Sequence, residues 1–396
     1  MDITIHPGKL SGEIAAIPSK SQAHRLLICA AFADRPTTLI CPQTNRDIEA
    51  TADCLRALGA TIELDEMGYH ILPVRQVPEQ ALLNCCESGS TLRFMLPIVG
   101  ALGVDATFLL EGRLPYRPLS PLWEEMERMG CTLSRPTETT VRSTGRLRAG
   151  EYCIDGGVSS QFITGLLFAL SLLEEKSSLT ITGHLESKPY VEMTVNALNR
   201  FGVDGVSLGA KHFVSPGTLT VEGDWSNGAF FLAAKALGSD IAVLGLDADS
   251  AQGDRAAAPL LQQLQEGAIT IDSSDIPDLV PILAVAAGAL KGATFTNIRR
   301  LRLKESDRVA SLIQMLTALG GKAEATEDTL TVYPAIYQGG TVDSAKDHRI
   351  AMAAAMAATV CTQDVTILGA EAVNKSYPCF WEEYRRLGGN YEQYLR

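Results

Sequence analysis

Hydrophobic and polar positions along the chain repeat one pattern six times. A short polar cluster rich in Ser, Gly, Lys or Arg opens an apolar run of small residues long enough for a buried helix. A strand-like segment follows, then a second helix-like segment with apolar positions at helical spacing. The openings are Ser19-Lys20-Ser21 to Arg25, Glu87-Ser88-Gly89-Ser90-Thr91 to Arg93, Gly157-Val158-Ser159-Ser160-Gln161, Gly223-Asp224-Trp225-Ser226-Asn227, Asp275-Ile276-Pro277-Asp278 and Lys346-Asp347-His348-Arg349. The second helices stop near Gly59, Gly130, Gly202, Gly267, Gly320 and Gly388, a period of roughly 65–70 residues for most intervals.

In the third repeat the pattern predicts a buried helix over Phe162–Leu170, a strand over Leu179–Thr182 and an outer helix from Val191 to Phe201. In the sixth it predicts a helix over Ile350–Val360, a strand over Val365–Leu368 and a helix over Cys379–Leu387. Further strands are expected at Asp2–Ile5 and Gly217–Val221. The first helix of each repeat is apolar nearly all round and belongs inside. The second is amphipathic and belongs outside. Units of this kind cannot bury their faces alone, so they pack around shared centres. The expectation is an α/β protein of two domains with three repeats each, 19–224 and 225–396, with residues 1–18 joining the C-terminal one.

Composition narrows the function. Hydrophobic content of 46% and charged content of 20% are those of an ordinary globular protein. The net charge of −12 argues against a nucleic-acid binder, which needs a basic face. The nine cysteines form no Cys-x-x-Cys pair and the six histidines lack metal-ligand spacing, so neither a disulfide framework nor a metal site is expected. Most of the thiols read as buried and free. The N-terminus Met1–His6 has no secretory pattern, and the longest apolar stretch, Leu279–Leu290, is too short to span a bilayer. A cytoplasmic, reduced protein is the resulting expectation; a monomer is expected separately, since nothing in the composition speaks to assembly.

Against the acidic background, cations gather at the repeat openings. Helix N-termini present unpaired N–H groups and a partial positive charge, and favour anions. Lys20, Arg25, Arg93, Arg117, Lys304, Arg308, Arg349 and Lys375 fall at corresponding ends of repeated units. Taken singly, each cluster has an ordinary explanation as a cap or a solvated charge pattern. Taken together, they point to small, heavily anionic substrates. No P-loop or dinucleotide glycine fingerprint is present, so no nucleotide is implied. The acid–base candidates are Asp278, Glu305 and His348.

The motifs SKSQAHR at 19–25, DGGVSSQF at 155–162, SKPY at 187–190, LKESDR at 303–308 and KDHRIAM at 346–352 occur in order along the chain. With them the chain resembles the 5-enolpyruvylshikimate-3-phosphate synthases (3-phosphoshikimate 1-carboxyvinyltransferases) of the enolpyruvyl transferase family. The resemblance implies two domains of three βαβαββ units with buried helices, closing over substrates. It implies transfer of the enolpyruvyl group from phosphoenolpyruvate to the 5-hydroxyl of shikimate 3-phosphate, with release of phosphate, in aromatic amino acid biosynthesis. It also implies sensitivity to glyphosate, with Gly89 leaving room beside the phosphoenolpyruvate site. No metal or organic cofactor is called for.

By the same resemblance, Lys20, Ser21, Arg25, Ser159, Ser160, Ser187, Tyr190, Asp278 and Lys304 would hold shikimate 3-phosphate. Lys20, Gly89, Arg93, Arg117, Gln161, Arg308, His348, Arg349 and Lys375 would hold phosphoenolpyruvate. Glu305 would donate the proton and Asp278 accept one, with Lys20 assisting. Two positions depart from the family pattern: Glu87 and Arg300 stand where Asn is common. The stretch from Gly253 to Asp278 is short, so the fourth repeat is expected to lack a strand pair. A related enzyme acting on UDP-N-acetylglucosamine is the nearest alternative, but its loop cysteine has no counterpart in Arg113–Leu119. A non-catalytic anion-binding protein of the same fold is opposed by the presence of both Asp278 and Glu305. An RNA-end-processing enzyme is opposed by the acidic charge.

Overall fold

The computed structural model describes residues 1–205, 208–209 and 212–394. The chain forms two compact units, Pro18–Val221 and Met1–Ile17 together with Glu222–Arg396. In the first unit the helices are α1 (Lys20–Ala31), α2 (Arg46–Ala57), α3 (Gly89–Leu102), α4 (Leu122–Arg128), α5 (Ser160–Leu172) and α6 (Lys188–Arg200). In the second they are α7 (Trp225–Ala236), α8 (Ala257–Glu266), α9 (Val280–Ala289), α10 (Arg308–Ala318), α11 (His348–Ala358) and α12 (Phe380–Arg386).

The odd-numbered helices are the apolar ones, and they are buried. Every residue of α11 is buried, as are Val280–Gly288 of α9. Each large aliphatic side chain so placed contributes about 1.5–3 kcal/mol. The even-numbered helices bury one face only. In α2, Ile48, Ala52 and Leu55 face the core while Arg46 and Asp53 are exposed. Each unit has its own core, the second including the aromatic cluster of Tyr377, Phe380, Trp381, Tyr384 and Tyr391.

One sheet order recurs. Strands Gln80–Asn84 and Asp105–Leu109 run parallel, with α3 between them in sequence. Thr140–Gly145 then pairs antiparallel with Asp105–Leu109, and Cys131–Ser134 pairs antiparallel with Thr140–Gly145. The same order is built by Thr218–Thr220, Thr37–Ile40, Gly68–Leu72 and Thr61–Leu64, and again by Ile269–Asp272, Ala293–Thr296, Thr329–Tyr333 and Lys322–Ala325. In the sixth repeat the strand Asp2–His6 completes the sheet, with Ile3 opposite Ile367 and Gln393, so the start of the chain closes its last repeat.

Two sheets are shorter. In the fourth repeat Ser11–Ala15 pairs only with Asp240–Leu244, which matches the missing strand pair expected from its length. In the third, Glu151–Asp155 pairs with Ser178–Thr182. The further strand pair that the resemblance implies for this repeat falls partly on residues 206–207 and 210–211, outside the described residues; among the described ones an isolated antiparallel bridge, Ser177 with Leu208, follows.

Most element ends fall within two or three residues of the sequence expectation, as helix termini commonly do. Side chains of Ser19, Ser88, Ser159, Asp224 and Asp347 cap α1, α3, α5, α7 and α11 by accepting N–H bonds from their first turns. Helix α9 is the exception: its cap residue, Leu279, offers no side-chain acceptor. Among the described residues no helix is long and apolar enough to cross a membrane.

Candidate active site

In the unit Pro18–Val221, site candidates collect at the starts of α1, α3, α5 and α6. Lys20, the first residue of α1, donates through Nζ to Asp47 Oδ2 at 2.9 Å. Arg25, one turn further on, is buried. Its Nη1 donates to Ser21 O at 2.6 Å, its Nε to Thr194 Oγ1 at 2.9 Å and its Nη2 to Tyr190 O at 2.8 Å and Thr164 Oγ1 at 3.3 Å. Among the described residues these acceptors are all neutral. Burial pulls the guanidinium down to about 10, still fully charged at neutral pH. Arg25 thus ties α1 to α5 and α6 and leaves uncompensated positive potential, the condition in which an anion is welcome.

Tyr190 donates its N–H to Ser187 O at 3.0 Å, and Ser187 starts α6 in a left-handed conformation with φ 53°. Ser159 is used as the α5 cap, and Ser160, the first residue of α5, is buried. Gln161 accepts from Arg93 Nη1 at 2.6 Å and donates to Ser90 Oγ at 2.9 Å, joining α3 to α5. Arg93 also donates to Pro118 O at 3.0 Å. A Cβ placed on Gly89 would lie 2.5 Å from Arg117 Nη1, so this guanidinium rests against the glycine. The room that sequence reading left beside Gly89 therefore holds Arg117. Glu87 packs against Gly112, in the same loop region.

The other unit carries a denser cluster. Arg308, the first residue of α10, is 1% exposed. It donates to Asp278 Oδ1 at 2.7 Å, Glu305 Oε2 at 2.7 Å and Asp347 Oδ2 at 2.8 Å. Burial opposes its charge, but Asp347, Glu305 and Asp278 outweigh that and raise its pKa well above the usual arginine value. Arg349 Nη2 reaches Asp278 Oδ2 at 3.2 Å and Nη1 reaches Asp278 O at 3.1 Å. Lys304 Nζ lies 3.5 Å from Asp278 Oδ1, and Lys375 Nζ lies 3.9 Å from Glu305 Oε1. Buried His348 sits beside Asp347, with Nδ1 3.8 Å from Oδ1.

These contacts decide between readings that the sequence left open. Lys304-Glu305-Ser306-Asp307-Arg308 is not merely a surface charge pattern, because Arg308 and Ser306 are buried and Glu305 is largely covered. Asp278 does not cap α9 through its side chain; its carboxylate goes to cations. Burial alone would raise the Asp278 pKa, but Arg349, Lys304 and Arg308 hold it well below the usual carboxylate range. Lys304 is pulled down to about 8, chiefly by burial. The cluster thus holds a deprotonated carboxylate and a lysine near its titration point, the equipment for moving protons near an anion. Among the described residues no three His, Cys, Asp or Glu side chains gather as a metal site would need.

Sequence reasoning missed Asp47 and Asp347 as site members. Both stand in helix first turns or caps, where an acid is ordinary, and their pairing with Lys20 and Arg308 needs the fold. Of the two unusual positions, Arg300 donates to Ser274 O at 2.9 Å, while Glu87 is placed as described above.

A family profile described as EPSP synthase (3-phosphoshikimate 1-carboxyvinyltransferase) matches residues 5–268 and 261–384. The chain belongs to the EPSP synthase family. A 3-phosphoshikimate 1-carboxyvinyltransferase of Clostridium kluyveri is 39% identical over 423 residues, covering 99% of this chain and 98% of the relative. Among solved structures, an EPSP synthase from Acinetobacter baumannii superposes with a TM-score of 0.78 at 23% identity, covering 99% of this chain and all of that one. The enolpyruvyl transferase NikO from Streptomyces tendae gives 0.76 at 18% identity, covering 99% of this chain and 98% of its own. At these identities the structural likenesses establish the fold, that of the EPSP synthases and related enolpyruvyl transferases. Family membership rests on the sequence matches.

Proposed function

We propose that the chain transfers the 1-carboxyvinyl group of phosphoenolpyruvate to the 5-hydroxyl of shikimate 3-phosphate and releases phosphate. What carries this reading is the family match running through essentially the whole chain. That match supports a role in aromatic amino acid biosynthesis; our reading adds a cytoplasmic enzyme working as a monomer.

The enol carbon of phosphoenolpyruvate becomes electrophilic only as its methylene carbon gains a proton. The acceptor hydroxyl must lose its proton as its oxygen attacks. One new C–O bond forms, giving a tetrahedral adduct. Loss of a proton from the new methyl group then rebuilds the double bond, and the C–O bond to phosphate breaks with its electron pair leaving on phosphate. In our reading Glu305 donates the proton to carbon, Asp278 receives the hydroxyl proton, and Lys20 assists. Arg25, Ser21, Ser159, Ser160, Ser187, Tyr190 and Lys304 hold shikimate 3-phosphate. Gly89, Arg93, Arg117, Gln161, Arg308, His348, Arg349 and Lys375 hold phosphoenolpyruvate.

A low pKa opposes the role of a base, but the cause of the Asp278 shift resolves the conflict. The cations that depress it, Arg349, Lys304 and Arg308, are those proposed to receive substrate anions. As phosphate and carboxylate groups draw them away, Asp278 becomes more basic when the hydroxyl arrives. A phosphate-release assay tests the activity: release from phosphoenolpyruvate is expected only with shikimate 3-phosphate present. Release with UDP-N-acetylglucosamine instead, or with no acceptor, would sink the proposal.

Gly89 supplies a second prediction. In Gly89→Ala the new methyl must push the Arg117 guanidinium aside. The KM for phosphoenolpyruvate should rise by roughly tenfold, equivalent to ~1.4 kcal/mol, with a smaller change in kcat. Glyphosate is expected to inhibit the unsubstituted chain in competition with phosphoenolpyruvate, and less so the variant. Equal inhibition of both, or turnover unaffected at low phosphoenolpyruvate, would remove Gly89 from the donor site.

A further inference from the structure

The fourth polar opening has no cation and no part in the chemistry above, yet a buried carboxyl stands beside it. Asp254, on the turn Gly253–Ala256 before α8, is 3% exposed. The turn is pinned to the start of α7. Gln252 Oε1 accepts the Trp225 N–H at 3.0 Å, and Gln252 Nε2 donates to Gly223 O at 2.8 Å. Among the described residues neither Asp254 Oδ1 nor the buried Ser226 hydroxyl has a partner in good hydrogen-bond geometry, although that hydroxyl lies close enough to the carboxyl to favour its charged form weakly. A carboxyl oxygen is costly to bury in this way, and more so when ionised.

Its charged neighbours come from three elements: Asp224 at the cap of α7, Asp278 ahead of α9 and Arg349 on α11. Arg255, on the same turn, donates instead to Ala248 O at 2.8 Å. Helix α8, packed on the turn, has no charged residue before Glu266. Burial and, next, Asp278 push the Asp254 carboxyl up to about 7, against the pull of Arg349 and the nearby Ser226 hydroxyl. Near neutral pH it is therefore poised between its two forms. Its main attraction as an anion is Arg349, the cation that pairs with Asp278.

We infer that Asp254 is a positioning residue that balances charge in this cluster, taking a proton from solvent when an anionic group docks on Arg349 and returning it when that anion leaves. The physical reason is short. New negative charge at Arg349 weakens that residue's hold on ionised Asp254, so the neutral carboxyl gains. Asp254 touches no reacting atom in this scheme; it keeps Arg349 able to receive an anion without leaving a buried carboxylate unpaired. The inference rests on the proposed placement of phosphoenolpyruvate at Arg349.

Calorimetric titration with phosphoenolpyruvate, at neutral pH in buffers of different ionisation enthalpy, tests it. The unsubstituted chain should take up roughly half a proton more per molecule bound than Asp254→Asn. Equal uptake would overturn the inference. A melting comparison checks the burial argument. Because the folded-state pKa of Asp254 is raised, its contribution is fully present below the ordinary carboxylate value and lost as pH rises through about 7. Asp254→Asn should therefore gain on the unsubstituted chain as pH rises, melting higher at about pH 8.5 by a clearly larger margin than at about pH 5. No difference at the higher pH counts against a buried, raised carboxyl. Should the variant not fold, infrared difference spectra of the unsubstituted chain decide: phosphoenolpyruvate should raise a protonated-carboxyl band, and its absence would overturn the inference. A chain that never turns over both substrates refutes the functional reading instead. Turnover with unchanged proton uptake refutes only the role of Asp254.

Discussion

Arg308→Met should destabilise the protein by about 3–5 kcal/mol, the usual result of removing one partner from a buried charge network. Methionine keeps the length and apolar stem of the side chain but none of its donors. Asp278, Glu305 and Asp347 would each lose a bond of 2.7–2.8 Å to a fully buried guanidinium. The loss should depend on pH. In the unsubstituted chain the Asp278 pKa is depressed, so its stabilising contribution is present above the ordinary carboxylate value and lost as pH falls through the folded value. The variant's deficit should be largest near neutral pH and shrink in acid, where its carboxylates protonate. Turnover should fall by at least about a thousandfold, since the same guanidinium is proposed to hold phosphoenolpyruvate. Urea unfolding at two pH values, with steady-state kinetics, checks both parts. A change below about 1 kcal/mol would show that the network is not what holds this part of the unit together.

Asp278→Asn should lower kcat by about 10²–10⁴, the range for losing a general base. Asparagine preserves shape but accepts no proton. The accompanying KM separates this role from simple positioning. The Asp278 carboxylate occupies Arg308, Arg349 and Lys304 in the structure, and would compete with an incoming anion for them. Without its charge, the KM for phosphoenolpyruvate should stay level or fall while kcat collapses. If kcat stays within tenfold while only the KM for shikimate 3-phosphate rises, Asp278 orients the acceptor and another group takes the proton.

Sequence patterning reveals the repeat architecture because burial enforces it: a helix hydrophobic all round has nowhere to go but inside. Five of the six inner helices start with the side-chain cap that the openings suggested, and the strand Val365–Leu368 lies at the residues expected. At the site, the cations were visible as exceptions on an acidic chain. Their counter-charges were not. Asp47 on α2 pairs with Lys20 on α1, and Asp347 pairs with Arg308 across 39 positions of sequence. Asp254 was hidden for a related reason: its stretch reads as a shortened repeat, and only burial beside Arg349 and Asp278 marks it out.

The central claim is that the bond broken in phosphoenolpyruvate joins carbon to the bridging oxygen, so that the carboxyvinyl group, not the phosphoryl group, moves. Phosphoenolpyruvate carrying heavy oxygen at that bridge tests it in one turnover with shikimate 3-phosphate. The account predicts that the heavy oxygen leaves in inorganic phosphate, and that the product is shikimate 3-phosphate enlarged by one carboxyvinyl group. Heavy oxygen retained in pyruvate, with a second phosphate on the acceptor, would contradict it.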